Sequence, residues 1–272
     1  MKVNDIMCPD YRYVSYKMSD KLSPDLAART AELYENLFRK TNDGVLILLG
    51  DMDPVLLKKI MIAYVGGFST TQRAFRRPLV RYQPASGWST YTVSGDRNSV
   101  DIALSVPLTL TAENFMAVEI ASMVLKKNLS EALVDSGMYL DISHECRIYP
   151  NERVNFHIAM NEAAPDGFSS GMQHTGPIDA LATVRSVLSG VGDMYVDKED
   201  VEVFKVRLKA ALDIEMKKPF YWLNVISRRH LAGKDFTTNH EARIESVNVE
   251  KVKSILSSLN EGTRVEYIVS KK

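Results

Sequence analysis

A short apolar run at residues 45–49 (VLILL) leads directly into the turn sequence Gly50-Asp51-Met52-Asp53. The run is too short for a helix and apolar at every position, which predicts a β-strand covered on both faces. The last residue of the turn can cap a helix, and Pro54 suits the first helical position, where an N–H group would have no intrahelical partner. The helix is expected to run to about Val65, before a glycine pair. We therefore predict a buried strand and helix, with Leu48 in the core.

The remaining sequence alternates between strand and helix patterns. Strands are predicted at 88–94, 99–106, 138–148, 154–160 and 264–269. Helices are predicted at 24–40, 111–134, 177–191, 197–218, 219–231, 236–246 and 249–259. This order predicts one α+β domain over residues 1–272, in which residues 1–21 can be an N-terminal extension. Its architecture is expected to be a two-layer sandwich of a mainly antiparallel sheet packed against helices.

The strands at 138–148 and 154–160 form a predicted hairpin whose two apolar sets must share the core. Because strand side chains alternate between faces, His144 should lie inside and His157 outside, so the two cannot share a metal ion. The opposite face is polar and includes Tyr139, Glu145 and Arg147. A sheet with one solvated side has such a face in any case.

Composition excludes several classes of partner. Lys+Arg and Asp+Glu balance at 34 each, so no net field attracts nucleic acid or an anionic membrane. No apolar run approaches the roughly 20 residues of a spanning helix, and the first residues lack the apolar core of a signal peptide. The chain as written is expected in the cytoplasm, or in the periplasm or outside the cell if it is a fragment of a longer protein. Cys8 and Cys146 are expected to be free thiols.

Three sequence segments carry a family resemblance. A predicted strand ending in Gly-Asp-x-Asp, an amphipathic helix and then Tyr-x-Gly at 64–66 resemble the C-terminal domains of the pitrilysin/insulinase family of zinc metallopeptidases. The segments LSEALVDSGMYLDIS (129–143) and FYWLNVISRRHLAGKDF (220–236) extend the resemblance. It covers about residues 22–269. It implies that each half of such an enzyme holds two copies of one α+β fold, with zinc in the first copy, and that two halves enclose a peptide-binding chamber.

The metal motif of that family is missing from this sequence. The family binds zinc through His-x-x-Glu-His on a helix, with the glutamate as general base. None of the five histidines has a histidine partner three or four residues away, and the nearest approach, His240-Glu241-Ala242-Arg243-Ile244, ends in isoleucine. We therefore expect no cofactor and no catalytic residue in this chain, with zinc only in a catalytic half elsewhere. The isolated chain is expected to be inactive.

The resemblance also implies a substrate contact. Members place an arginine and a tyrosine around the glycine that follows the long helix; Tyr139 matches the tyrosine, whereas Leu133 stands where the arginine is expected. The predicted substrate-binding residues are Tyr139, Glu145, Arg147 and His157. An ordinary strand aromatic is the alternative for Tyr139. The arginines at 73, 76, 77 and 81 can bind an anion or merely solvate a loop, and the serines at 169 and 170 are expected in a flexible loop.

Two function classes follow. In the first, the chain is a non-catalytic domain that completes the peptide-binding chamber of a catalytic zinc-peptidase half, with a peptide as the substrate. In the second, it is a binding or scaffold protein, such as a homo-oligomer, that has kept the fold without proteolysis. A partner that carries His-x-x-Glu-His would distinguish the first class from the second.

Overall fold

The computed structural model describes residues 2–8, 24–38, 45–67, 82–134, 136–162, 176–190 and 196–271. The helices in these ranges are α1 (Lys2–Met7), α2 (Pro24–Phe38), α3 (Pro54–Tyr64), α4 (Ala112–Ala132), α5 (Pro177–Ser189), α6 (Lys198–Glu215), α7 (Pro219–Ala232), α8 (His240–Glu245) and α9 (Val249–Ser258). The strands are β1 (Trp88–Gly95), β2 (Ser99–Pro107), β3 (Met138–Arg147), β4 (Arg153–Glu162) and β5 (Thr263–Lys271). Every helix and strand predicted from residue 88 onward is present.

The five strands form one sheet in the order β1-β5-β2-β4-β3. The pairs β2–β4, β2–β5 and β3–β4 are antiparallel, and β1–β5 is parallel. The predicted fold class, a mainly antiparallel sheet packed against helices in an α+β fold, is confirmed. The strands β1 and β2 are consecutive in the sequence, yet β5, the last strand, lies between them.

The main core lies between one face of this sheet and the helices. Alternate residues of β2 and β4 point into it, as the period of two predicts. The fully buried side chains include Ile102, Leu104, Phe156 and Ile158, and Leu125 of α4 packs in the same cluster. Thr111 caps α4, since its hydroxyl accepts a hydrogen bond from the Asn114 N–H at 3.1 Å. The long helix therefore begins where the sequence predicts it.

The short helix α1 packs on the other face of the sheet. Val3, Met7 and Cys8 are buried there against Val265 and Tyr267 of β5. The carbonyl of Met7 accepts a hydrogen bond from the N–H of Ala85 at 3.0 Å, which fixes the helix to the chain that enters β1. This second face is therefore apolar over β5 and polar over β3 and β4.

The prediction of a buried strand at residues 45–49 is wrong for the described structure. These residues form no strand, and Leu48 is 44% exposed. A strand needs a neighbouring strand for its backbone groups, and residues 45–49 pair with no strand of the described sheet. The helix α3 follows as predicted, with the Asp53 carboxylate accepting from the Val55 N–H at 2.9 Å, but it has no buried residue. The predicted helix α2 is present, and its side chains at 25–35 are all exposed.

Candidate functional site

The β3–β4 hairpin separates its two histidines as predicted. His144 faces α4, where its Nε2 lies 3.2 Å from Glu119 Oε1. His157 lies on the opposite face, with its Nε2 3.3 Å from Asp101 Oδ1 on β2. The strand register explains the separation, because His157 pairs with Ser143 and not with His144. The polar face of the hairpin is therefore the outer face of the sheet.

Three of the four predicted substrate-binding residues line one groove on this outer face. The groove has a volume of about 300 Å³ and contains Glu145, Arg147 and His157. Arg147 Nη2 donates to Glu145 Oε2 at 2.9 Å, and its guanidinium lies 4.3 Å from the centre of the Tyr82 ring. The carboxylate is 57% exposed and the guanidinium side chain 19%. The groove thus offers an accessible acid beside an arginine held in place by an aromatic ring.

A layer of hydrogen bonds beneath the groove fixes these groups. Asn155 Nδ2 donates to the Tyr82 hydroxyl at 3.0 Å and to Glu145 at 3.2 Å, while its carbonyl oxygen accepts from Ser105 Oγ at 2.7 Å. Arg153 Nε donates in turn to Ser105 Oγ at 2.9 Å. A network in which most polar groups have partners holds its side chains in single orientations. The groove is therefore preformed.

Burial sets the protonation states of Tyr82, which lines the groove, and of the neighbouring Cys8. Burial raises the pKa of Tyr82 to about 12, with a further contribution from neighbouring Cys8. Burial also raises the pKa of the Cys8 thiol, although its hydrogen bond with Tyr82 and the charge of Arg147 oppose the shift. Both groups are neutral at pH 7, so the charge of the groove comes from other residues, among them Glu145 and Arg147.

Tyr139 does not join the other predicted residues. It lies at the opposite end of β3, paired with Asn161, and its side chain is 66% exposed. Eight strand positions separate it from Arg147, a distance of about 26 Å at the usual rise per residue. The structure therefore divides the predicted set into a groove (Glu145, Arg147 and His157) and a distant exposed aromatic on the same edge strand.

Ser143, His157 and Asp101 line up across the outer faces of β3, β4 and β2, an arrangement that resembles a hydrolytic triad in composition. Among the described residues, His157 contacts Asp101, but no hydrogen bond joins Ser143 to His157. Acyl transfer also needs free N–H groups aimed at an oxyanion, and β4 is an interior strand that pairs with β2 and β3. We interpret this alignment as the polar side of a sheet.

The described part of the chain contains no group of three or more His, Cys, Asp or Glu side chains that could hold a metal ion. None of its helices has the length and apolarity needed to cross a membrane. His174, the arginines at 73, 76, 77 and 81 and the serines at 169 and 170 lie outside the described residues. The predictions for those positions stay predictions.

Three residues of the site were missed by sequence reasoning. Arg153 could have been found, because it continues the alternation of polar residues through Asn155 and His157. Tyr82 and Cys8 carry no such signal. They meet only because α1 folds onto the sheet, which is a long-range contact with no local pattern.

Both thiols are expected to react slowly in the folded protein. Cys8 is 3% exposed with a raised pKa, and burial together with the nearby Glu119 carboxylate raises the pKa of Cys146 to about 12. Since the thiolate is the reactive form, each should react with a disulfide reagent at pH 8 on the order of 100-fold more slowly than in the unfolded chain. The rates in buffer and in guanidinium chloride check this. Fast labelling of Cys8 alone would show that α1 is not held on the sheet.

The fold of this chain is similar to that of one class of proteases. Its α+β fold matches domains of pitrilysin/insulinase-type, M16-like proteases, and solved proteases of this type match most of the chain. All are less than 25% identical to it, so the likeness is one of fold. No protein-family model matches the sequence, and no curated protein matches it.

Three solved structures show the extent of the match. The ferredoxin protease FusC, solved as a mutant in complex with Arabidopsis ferredoxin, has a TM-score of 0.64 and 17% identity over 82% of this chain and 24% of its own. The periplasmic protease PqqL from Escherichia coli gives 0.61 and 15%, over 82% and 25%. A predicted insulinase family protease from Yersinia pestis gives 0.58 and 8%, over 81% and 50%. This chain thus spans a quarter to a half of their lengths.

Proposed function

We propose that this chain is a non-catalytic C-terminal domain of a zinc metallopeptidase and completes the peptide-binding chamber of a catalytic half. The observation that carries the proposal is the combination of a protease fold over four-fifths of the chain with a sequence that lacks His-x-x-Glu-His. A domain with that fold and without the zinc ligands can contribute walls and substrate contacts but not the metal-bound water that the chemistry needs.

The outer face of the hairpin supports a role in binding extended peptides. Within the described part of the chain β3 is an edge strand of the sheet, so the backbone groups on its outer side can pair with an added peptide strand. Side chains on the same face supply both charge signs, through Glu145 and Arg147, and an aromatic ring, through Tyr139. Because the groove and Tyr139 lie about 26 Å apart along one strand, a peptide that contacts both would span about eight residues in extended form.

The first test concerns activity and metal content. The isolated chain, dialysed and analysed for metals, is expected to hold no stoichiometric zinc and to leave an unstructured peptide uncleaved. Mixing it with the His-x-x-Glu-His half encoded with it should raise peptide cleavage above that of the half alone. Chelator-sensitive cleavage by the isolated chain would overturn the proposal. A stable homo-oligomer that ignores the catalytic half would favour the scaffold function instead.

The second test concerns the groove and the edge strand. Tyr139→Ala and Arg147→Ala should each weaken binding of a cleavage-resistant peptide to the assembled protein by about 1 kcal/mol or more if they are anchors. Arg207→Ala is the matched control, since its guanidinium lies over the Phe204 ring at 5.6 Å on the helical side of the sheet. Binding measured by fluorescence anisotropy, with the denaturation midpoint of each variant, checks this. An effect of Arg207→Ala equal to that of Arg147→Ala would move peptide binding away from the hairpin.

A further inference from the structure

The helical layer contains a second cavity, on the side of the sheet opposite the groove. It lies between α4, α6 and α7 and has a volume of about 310 Å³. Its apolar wall consists of residues from all three helices, Met116, Leu208, Leu212 and Val225. A cavity of this size and lining fits a small organic molecule that carries an apolar group.

Among the described residues, one basic side chain, Arg228 of α7, lines this cavity. Its guanidinium carbon lies 5.3 Å from the centre of the Phe115 ring and 5.4 Å from that of Phe236, and the two rings stack 4.6 Å apart. Arg228 is partly buried, and within the described part of the chain it forms no ion pair or hydrogen bond. Aromatic rings stabilise the cation but accept no conventional hydrogen bond, so the N–H donors of the guanidinium remain available to a ligand.

Two acidic side chains, Glu119 and Glu215, line the same cavity but have other partners. Glu119 Oε1 lies 3.2 Å from His144 Nε2, and Glu215 Oε1 lies 2.5 Å from Lys218 Nζ. Their negative charges disfavour a ligand with two charges, such as a phosphate monoester, because Arg228 compensates only one. A carboxylate carries a single charge and can form two parallel hydrogen bonds with the planar guanidinium. The cavity is therefore suited to a carboxylate.

Hydrogen bonds fix the walls of the cavity. Trp222 Nε1 donates to the Met216 carbonyl at 2.7 Å, which joins the first turn of α7 to the end of α6. The Asp235 carboxylate accepts from the N–H groups of Thr237 and Thr238 at 2.9 and 3.1 Å, which holds the loop that carries Phe236. A cavity whose walls are already ordered imposes little ordering cost on a ligand.

We infer that this cavity binds a small carboxylate that carries an apolar group, with Arg228 binding the carboxylate and the apolar wall binding the group. A free hydrophobic amino acid and the hydrophobic C-terminal residue of a peptide share this chemistry. The inference goes beyond the function proposed above and does not depend on it, because the cavity lies on the helical side of the sheet, away from the groove.

Isothermal titration calorimetry of the full chain with N-acetyl-phenylalanine tests the inference. We expect a dissociation constant below about 1 mM, an affinity that a ligand of about 15 non-hydrogen atoms can reach in a preformed site. The uncharged N-acetyl-phenylalanine amide should bind at least about tenfold more weakly, because it cannot form the charged hydrogen bonds. Phenyl phosphate should also bind more weakly than the acid. A dissociation constant above about 1 mM for the acid, or an equal one for the amide, would overturn the inference.

Two variants test whether binding occurs in this cavity. Arg228→Gln should raise the dissociation constant at least about tenfold. Arg207→Gln is the matched control and should leave it unchanged, since that guanidinium also lies over a ring, Phe204 at 5.6 Å, but outside the cavity. Ala211→Trp fills the cavity from an exposed position of its wall and should abolish binding with little change in the thermal midpoint. Binding that survives Ala211→Trp, or that weakens equally in both arginine variants, would contradict the assignment.

Free phenylalanine and a tetrapeptide that ends in phenylalanine distinguish the two sources of the carboxylate. Tighter binding of the tetrapeptide would identify a peptide C-terminus as the ligand, whereas tighter binding of phenylalanine would identify a free amino acid. The same tetrapeptide with an amidated C-terminus is the control for charge. Equal affinities for the amidated and the free tetrapeptide would refute the role of Arg228, since the carboxylate would then contribute nothing.

Discussion

Replacing Glu266 with glutamine is expected to destabilise the folded chain by about 3–5 kcal/mol, because the change leaves a buried arginine without its counter-charge. The side chains of Glu266 and Arg264 on β5 are only 4% and 2% exposed, with Oε1 and Nη2 2.6 Å apart. Arg185 of α5 donates to both carboxylate oxygens, at 3.1 and 2.5 Å, and Thr90 Oγ1 donates at 2.7 Å. Arg264 Nε and Nη2 have no hydrogen-bond partner among the described residues, so the charge of Glu266 is the main compensation for the guanidinium.

The dependence of stability on pH should show the same interaction. Burial alone would raise the pKa of Glu266, but the hydrogen bonds from Arg185 and Thr90 and the charge of Arg264 outweigh it and lower the pKa. A carboxyl with a lowered pKa in the folded state stabilises fully above its unfolded pKa of about 4.3. This contribution is lost as the pH falls through the lower folded pKa. The variant should therefore lose less stability than the wild type between pH 5 and the acid range.

Glu215→Gln is the matched control for this prediction. Glu215 pairs with Lys218 at 2.5 Å, but both side chains are about half exposed, so the loss should be within about 1 kcal/mol. Guanidinium chloride unfolding of the three proteins, followed by circular dichroism, gives the comparison. Equal midpoints for the two variants would contradict the assignment of Glu266 as the charge that compensates Arg264.

Leu125→Ala is expected to cost about 2–5 kcal/mol, whereas Leu48→Ala should stay within about 0.5 kcal/mol in the isolated chain. Both changes remove the same atoms. Leu125 is fully buried between α4 and the sheet, so its loss removes transfer energy and leaves a cavity; Leu48 is 44% exposed and lies in no strand. This reverses the expectation from the sequence, which places Leu48 in the core.

Urea unfolding measures the difference in free energy of unfolding between the two variants. The free energy should depend on urea concentration with the same slope in both. A loss above about 2 kcal/mol for Leu48→Ala in the monomer would restore the sequence-based expectation, since only a buried leucine gives such a loss.

Local patterns predicted most of the fold. The caps Asp53 and Thr111 fixed two helix starts, and period-two alternation identified the strands and the inward and outward histidines. The pattern did not predict that β5 lies between β1 and β2, because pairing between distant strands leaves no local trace. Residues 45–49 were wrongly predicted to be buried, because an apolar run in the sequence does not show which surface, if any, it packs against.

Local patterns also predicted part of the candidate site. Alternation placed Glu145, Arg147 and His157 on one polar face, and the structure brings them into one groove. Tyr139 lies on the same face but at the other end of β3, outside the groove. Periodicity predicts the face on which a side chain lies, but it does not predict how close two side chains on that face are. Tyr82 and Cys8 lie together because α1 packs on the sheet, and no local sequence pattern predicts that contact.

The interior position of β5 in the sheet has a consequence for the order in which the chain can fold. Thr90 on β1 bonds to Glu266 on β5 across 176 positions of sequence, and β2 pairs with the same strand. During synthesis β1 therefore has no native strand neighbour, and β2 lacks one of its two, until β5 has left the ribosome. The antiparallel strands β2, β4 and β3 and their covering helix α4 can form earlier. Closure by β5 is then the late, slow step that long-range strand pairing imposes, and the open edge of β2 is the surface most exposed to misassembly until it is complete.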